Sequence, residues 1–415
     1  MEHKALFRNL QSLLLAGLLA FLPAACNGLG QEEENENFTP IVLTKSQQDV
    51  AAQGDAFAFD YLKASAREFS GENLFVSPMS LSMLSCMLAN GAEGETYDEI
   101  VKAIGMDRFT IDQVNDCYST LVTALLKADR SVALALANSI WMAKNLEVRK
   151  TFRDRMTQVY DADSYVVDFT LPGTLKQVND WCSLKTAGLV PKMFEEIDPQ
   201  VQMILINALY FKGKWKVQFS KGDTAKDLFT TAAGQQVETD FMWATSDLFT
   251  GFQDGEVTVV RMPYGNGAFL MEAIMPSGKN FDEFLTSLTP QRLARWDATT
   301  TQKITLKFPK FKAEFDTDRQ LVPIMRALGV RKAFTYAAEF DPMSPDPLYV
   351  SNMRQKAYVS IDEEGTEAAA VTIAELRKNS VGDSGITMMA FDRPFLYLIR
   401  EKSTGAILFM GIKVK

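Results

Sequence analysis

Hydrophobic positions change regime along the chain. At the start, Leu10 to Leu22 (LQSLLLAGLLAFL) is an apolar run broken only by Gln11 and Ser12, with Lys4 and Arg8 ahead of it. That is a secretory signal pattern, too short for a membrane span. Beyond Thr44, apolar residues recur at helical spacing: Val50, Phe57, Tyr61 and Leu62 share one face of a helix that Thr44 can cap. Ser77-Pro78 opens a second helix running to Gly91, with Ser as cap and Pro in the first turn. Thr96 to Glu99 (TYDE) reads as a capping box for a helix through Ile100 and Ile104, stopped by Gly105. Val132 to Met142 reads as a buried strand and Thr174 to Leu184 as a helix.

From about Val201 the pattern turns to strands. VQMILINALYFKGKW is continuously apolar, as a central strand covered on both faces would be. In ITLKFPKFKAEF, Ile304, Leu306 and Phe308 alternate before Pro309, and Phe311, Ala313 and Phe315 alternate after it. The proline predicts two edge-like strands meeting at a break. Asp316 to Gly329 returns to helix, and FLYLIR and AILFMGIKV, joined by EKSTG, form a terminal hairpin. Helices and strands interleave with no linker after Pro40. The expectation is one large α+β domain over residues 44–415.

Composition narrows the chemistry. The chain of 415 residues is 47% hydrophobic and 23% charged, with a net charge of -9, which argues against nucleic acid or anionic lipid as an electrostatic partner. The single histidine, His3, lies inside the signal segment. The processed protein therefore cannot build a Ser-His-Asp or Cys-His nucleophile or a histidine zinc site. No cysteine pair has metal-ligand spacing, and neither G-x-x-x-x-G-K-[ST] nor G-x-G-x-x-G occurs. No metal, no cofactor and no enzymatic activity are expected.

The segment ends in Ala24-Ala25 and then Cys26, which resembles a bacterial lipobox whose Cys becomes the lipidated N-terminus. Pro23 stands where that pattern prefers Leu, and Leu22 lies one position further back. Residues 1–25 are read as a lipoprotein-type signal peptide and 26–43 as a polar, acidic tether. The protein is expected at the outer membrane or cell surface through lipid on Cys26. Conventional cleavage would leave it secreted or periplasmic. Cys86, Cys117 and Cys182 are widely spaced and odd in number, so buried free thiols are expected.

Five stretches, in order along the chain, carry a family resemblance: NLFVSPMSLSMLSCMLANGAEGET, INALYFKGKW, FPKFKAEF, IDEEGTEAAAVT and DRPFLYLIREKSTGAILFMG. From about Thr44 to Lys415 the chain resembles the serpins. The resemblance implies three β-sheets, about nine helices and an exposed reactive-centre loop, here about 363–393. It also implies a monomer that inhibits serine, and possibly cysteine, endopeptidases. Ser77, Ser80 and Asn207 match a polar cluster beneath the central sheet, where Gln355 stands in place of the family's histidine. Trp215 matches a tryptophan at the top of that sheet.

The stretch EEGTEAAAVTIAELRKNS, Glu363 to Ser380, fits no single secondary structure. As a strand it would place Thr366, Ala368, Ala370, Thr372, Ala374 and Leu376 on one face, all uncharged. Glu367, Ala369, Val371, Ile373, Glu375 and Arg377 would fall on the other, with every charge among them. A segment entering between two strands needs that division, because an inward charge would be buried unpaired. Glu363, Gly365, Thr366, Ala368, Ala369 and Ala370 match the hinge of inhibitory members. The resemblance implies a suicide substrate: the cut loop inserts into the central sheet before the acyl-enzyme can deacylate. Family counting places the cut between Asn379 and Ser380. The chemistry of a trypsin-like target favours Arg377 or Lys378, Asn379 would suit a legumain-like protease, and Val381 an elastase-like one. The other reading is a lipid-anchored binding or structural protein of the same fold.

Overall fold

Thr44 caps the first helix as its sequence predicts. Its hydroxyl accepts the Gln47 N–H at 3.3 Å, and the Gln47 side chain accepts the Thr44 N–H at 2.9 Å. The computed structural model describes residues 38–278, 280–298, 303–366 and 386–415. Among these residues there are nine α-helices: α1 Lys45–Glu68, α2 Pro78–Ala89, α3 Gly94–Ala103, α4 Ile111–Leu125, α5 Lys150–Tyr160, α6 Pro172–Lys185, α7 Phe281–Thr286, α8 Pro290–Asp297 and α9 Leu321–Ala327. Ser77 caps α2 through its Oγ, with Pro78 at the first position. The helix is apolar nearly all round because it is buried nearly all round.

The strands, in chain order, are β1 Leu74–Val76, β2 Ala133–Ala143, β3 Ala162–Val167, β4 Met203–Lys214, β5 Ala225–Thr230, β6 Gln236–Ser246, β7 Thr250–Gln253 and β8 Val257–Pro263. They continue as β9 Phe269–Pro276, β10 Ile304–Pro309, β11 Phe311–Asp316, β12 Lys356–Ile361, β13 Gly365–Thr366, β14 Thr387–Ala390, β15 Phe395–Glu401 and β16 Ile407–Lys413. They form three sheets, ordered β1-β16-β15-β9-β8-β7, β14-β10-β6-β5 and β11-β12-β13-β4-β2-β3. The last, the central sheet, contains Gly365 and Thr366. Its two halves are joined through the two-residue strand β13, which pairs antiparallel with β12 on one side and β4 on the other. One face of β2 and β4 packs beneath α6 through Trp141, Trp181, Val178, Ile206 and Ala208.

Two local expectations are corrected. Thr96 does not cap a helix: α3 begins at Gly94, and the buried Thr96 hydroxyl accepts the Glu339 N–H at 2.9 Å. Glu99 accepts the N–H groups of Arg331 and Lys332 instead of closing a box. The two strands flanking Pro309 are not both at edges. β11 is an edge of the central sheet, but β10 lies inside its own sheet between β14 and β6, and Pro309 is tolerated because it ends the strand. Cys86, Cys117 and Cys182 are buried free thiols, as expected, with burial pushing Cys182 up to about 12.

Candidate functional site

The hinge forms a tight hairpin at the top of the central sheet. After Ile361 the chain turns through Asp362–Glu364, and Thr366 returns opposite Ile361. Gly365 is required there: its φ is 155°, and a Cβ would lie 2.1 Å from the carbonyl oxygen of Gly213 on β4. Thr366 is 2% exposed, and its hydroxyl shares a 2.6 Å hydrogen bond with the Tyr264 hydroxyl. The sequence assigned Thr366 to the inward face, and its side chain does point inward.

Two buried carboxylates and Trp215 pin the hairpin. Lys310 Nζ pairs with Glu363 at 2.8 Å and Lys221 Nζ with Glu364 at 2.7 Å, while the Thr224 hydroxyl donates to Glu363 at 2.9 Å. Burial pulls the Glu363 carboxyl upward, but Lys310, a backbone N–H and Thr224 outweigh it and hold the group below its ordinary range. The indole N–H of Trp215 donates to the Asp362 carbonyl at 2.8 Å, and its ring stacks on Tyr264 at 4.4 Å. The Trp215 and Phe219 N–H groups donate to the Glu364 and Glu363 carbonyls. Glu363, Gly365, Thr366 and Trp215 are thus one structural unit.

Below Thr366, β12 and β4 share no ladder among the described residues. They flank a cavity of about 30 Å³ lined by Ser77, Ser80, Asn207, Leu209 and Gln355 among others. Gln355 is its polar anchor. Its Oε1 accepts from the Ser77 N–H at 2.9 Å and the Tyr61 hydroxyl at 3.0 Å, and its Nε2 donates to the Ser77 carbonyl at 2.9 Å. The Ser77 hydroxyl donates to the Leu408 carbonyl at 2.8 Å and accepts the Ser80 N–H. A neutral amide therefore supplies both donor and acceptor here without an ionisable ring.

Ser77, Ser80 and Gln355 are joined by hydrogen bonds, and Asn207 lines the same cavity. Asn207 is not bonded to them. Its Nδ2 donates to Asn138 Oδ1 on β2 at 2.7 Å, and its Oδ1 is buried without a partner at the cavity wall. Sequence reading missed Tyr61, Asn138, Tyr264 and Lys310. Ala368, Ala369, Ala370, Arg377, Lys378, Asn379, Ser380 and Cys26 lie outside the described residues. Among the described residues no group of three or more His, Cys, Asp or Glu side chains is placed to hold a metal. No helix among them is long and apolar enough to cross a membrane.

A family model described as Serpin (serine protease inhibitor) matches residues 52–415. Serpin A9 of Mus musculus is 29% identical over 409 residues, covering 96% of each chain. Iripin-3 of Ixodes ricinus is 33% identical over 352 residues, covering 82% of this chain and 88% of that one. Among solved structures, the thermophilic serpin tengpin in the native state superposes with a TM-score of 0.81 at 27% identity, covering 91% of this chain and 97% of that one. Human thyroxine-binding globulin complexed with its thyroxine ligand gives 0.80 at 25%, covering 89% and 99%. The sheets described above are therefore those of a known architecture, and the chain belongs to the serpin family.

Proposed function

We propose that this protein inhibits serine endopeptidases as a suicide substrate, by inserting its cut loop between β12 and β4. One observation carries the reading: the first inward hinge residue already occupies the top of a gap whose walls continue its register. Thr366 faces Gly213 on β4 and Ile361 on β12. Continued two residues at a time, that register sets Ala368 against Phe211 and Val359, Ala370 against Leu209 and Ala357, and Thr372 between Asn207 and Gln355. Small side chains then meet the apolar stretch of the gap. The second inward threonine arrives beside the unpartnered Asn207 oxygen.

In chemical terms, the protease nucleophile attacks the carbonyl of the residue before the scissile bond. An acyl-enzyme ester forms, and the segment C-terminal to the cut departs as an amine. The freed hinge side enters the gap and gains a ladder of hydrogen bonds on each edge. Attack after Arg377 or Lys378 fits a trypsin-like pocket, and attack after Asn379 fits family counting. Cys26 would tether the domain to a membrane by lipid, with residues 26–43 as spacer.

Incubation with trypsin followed by denaturing electrophoresis tests the reading. A covalent complex is expected, with the released C-terminal peptide naming the cut bond by mass. Cleavage without any complex would defeat it. That outcome would favour a binding role, which the likeness to thyroxine-binding globulin supports as the second reading.

A further inference from the structure

Both walls of the gap hang on one helix. The N-terminal end of α2 holds the β12 side, because Ser77 exchanges two hydrogen bonds with the Gln355 side chain, each 2.9 Å. Its C-terminal end reaches the other wall by a longer route. Asn90, the C-cap of α2, exchanges amide hydrogen bonds with Asn115 of α4 at 3.0 and 2.9 Å. The Tyr160 hydroxyl donates to the same Asn115 oxygen at 2.7 Å. Tyr160 ends α5, and its carbonyl accepts Asn138 Nδ2 at 2.6 Å. Asn138 in turn accepts from Asn207 at 2.7 Å, at the cavity wall.

This route is polar where packing alone could be apolar. Asn115, Tyr160 and Asn138 are 4%, 3% and 2% exposed. Buried amides cost stability unless they are fully paired, but once paired they fix distance and direction as a methyl contact does not. Burial keeps the Tyr160 phenol protonated, well above its ordinary range, so it remains a donor. At the outer end, Arg155 donates to Asn90 Oδ1 at 3.3 Å and pairs with Asp112 at 3.3 Å. The β2–β4 pair is thereby moored to α2 at the opposite end from Gln355.

We propose that Asn90, Asn115 and Tyr160 are positioning residues that hold the β2–β4 wall at a set distance from α2 and so govern how readily the gap widens. The proposal rests on the inhibitor reading only in taking strand entry as the purpose of widening. Its probe needs no protease: a synthetic peptide of the sequence Thr366–Leu376, incubated with the intact protein, with uptake followed by native electrophoresis and by the rise in Tm. Tyr160→Phe leaves the Asn90–Asn115 amide pair closed on itself. It removes both the bond to Asn115 and the 3.2 Å bond accepted from Asn90 Nδ2, and is expected to take up peptide about fivefold faster than the unmodified chain, about the net contribution of a single hydrogen bond. Arg155→Ala, at the surface end, is expected to give about a twofold gain from one weakened contact.

Thr96→Ala serves as control, since it removes a buried hydrogen bond away from the gap, to the Glu339 N–H. It is expected to lower stability comparably without speeding uptake. Equal acceleration by Thr96→Ala and Tyr160→Phe, no acceleration by Tyr160→Phe, or a chain that accepts no peptide at all would each overturn the proposal. Faster uptake by Tyr160→Phe in a protein that forms no covalent complex with trypsin would instead uphold the mooring and sink the inhibitor reading.

Discussion

The molecule has two six-stranded sheets that are built to opposite ends. In the β1-β16-β15-β9-β8-β7 sheet every residue of β9, β15 and β16 is buried, and the ladders run the length of the strands with a single bulge at Ile399/Arg400 between β15 and β16. Charge is locked inside it: Glu272, fully buried, pairs with Arg261 at 3.1 Å and Arg400 at 3.0 Å, and both arginines also reach Asp297 of α8. The central sheet has the same strand count but keeps a cavity at its middle, between strands that share no ladder there among the described residues. Among the described residues its two halves meet through a two-residue strand held by surface-reaching lysines. Strand count alone says nothing about stiffness. What separates the two sheets is whether each edge is already satisfied.

The sharpest break in that contrast is Thr366→Arg. It would place a guanidinium in a position that is 2% exposed beside Tyr264, and a buried unpaired charge costs several kcal/mol. The hinge should be expelled, and the variant should be cut by trypsin as a plain substrate. A full yield of stable complex would show that the inward face has been assigned wrongly.

Arg400→Met attacks the closed sheet. It strands Glu272 without one of its two arginines, and removing one partner of a buried pair costs about 3–5 kcal/mol. Urea unfolding should register that loss, while the ratio of complex to cleaved product in the surviving folded protein stays unchanged. A shifted ratio would mean that the two sheets are coupled.

Gln355→Ala acts on the central sheet. It leaves the Ser77 N–H and carbonyl and the Tyr61 hydroxyl unpaired, so a loss of about 1–3 kcal/mol is expected, with faster peptide uptake. Loss of stability with unaltered uptake would confine Gln355 to a structural role.

The smallest expected effect is on pH. Glu363 is held below its ordinary carboxyl value, 4.5, so its contribution to stability is present above that value. It fades as pH falls through the lower folded value. The stability difference between the native chain and Glu363→Gln should therefore be constant near neutrality and shrink in acid below about 4.5. A difference that persisted unchanged there would show that the Lys310 pair contributes nothing at the hinge.

The sequence made legible what is local or periodic. The Thr44 and Ser77 caps, the terminal hairpin and the inward direction of Thr366 all follow from spacing within a few residues. Long-range partners were not legible. Tyr264 meets Thr366 across 102 positions, and Asn138 meets Asn207 across 69, with no pattern in either stretch to pair them. Thr96 shows the opposite failure, since its local motif was correct in letter but the Glu339 backbone, 243 positions away, claimed the hydroxyl. The Glu272–Arg400 cluster lay hidden because charges inside apolar strands read as breaks in the pattern, not as partners.

The glycine at 365 has a kinetic consequence. Where its missing side chain lets the chain pass the Gly213 carbonyl, the first rungs of a new strand are already formed. In any zipper the costly step is nucleation, because the first contacts fix the most freedom for the fewest bonds, and every later rung closes only a short loop. A cut loop in this fold would not have to search for its register. On the inhibitor reading proposed above, it would extend a nucleus that already exists, and strand entry would start from the second rung.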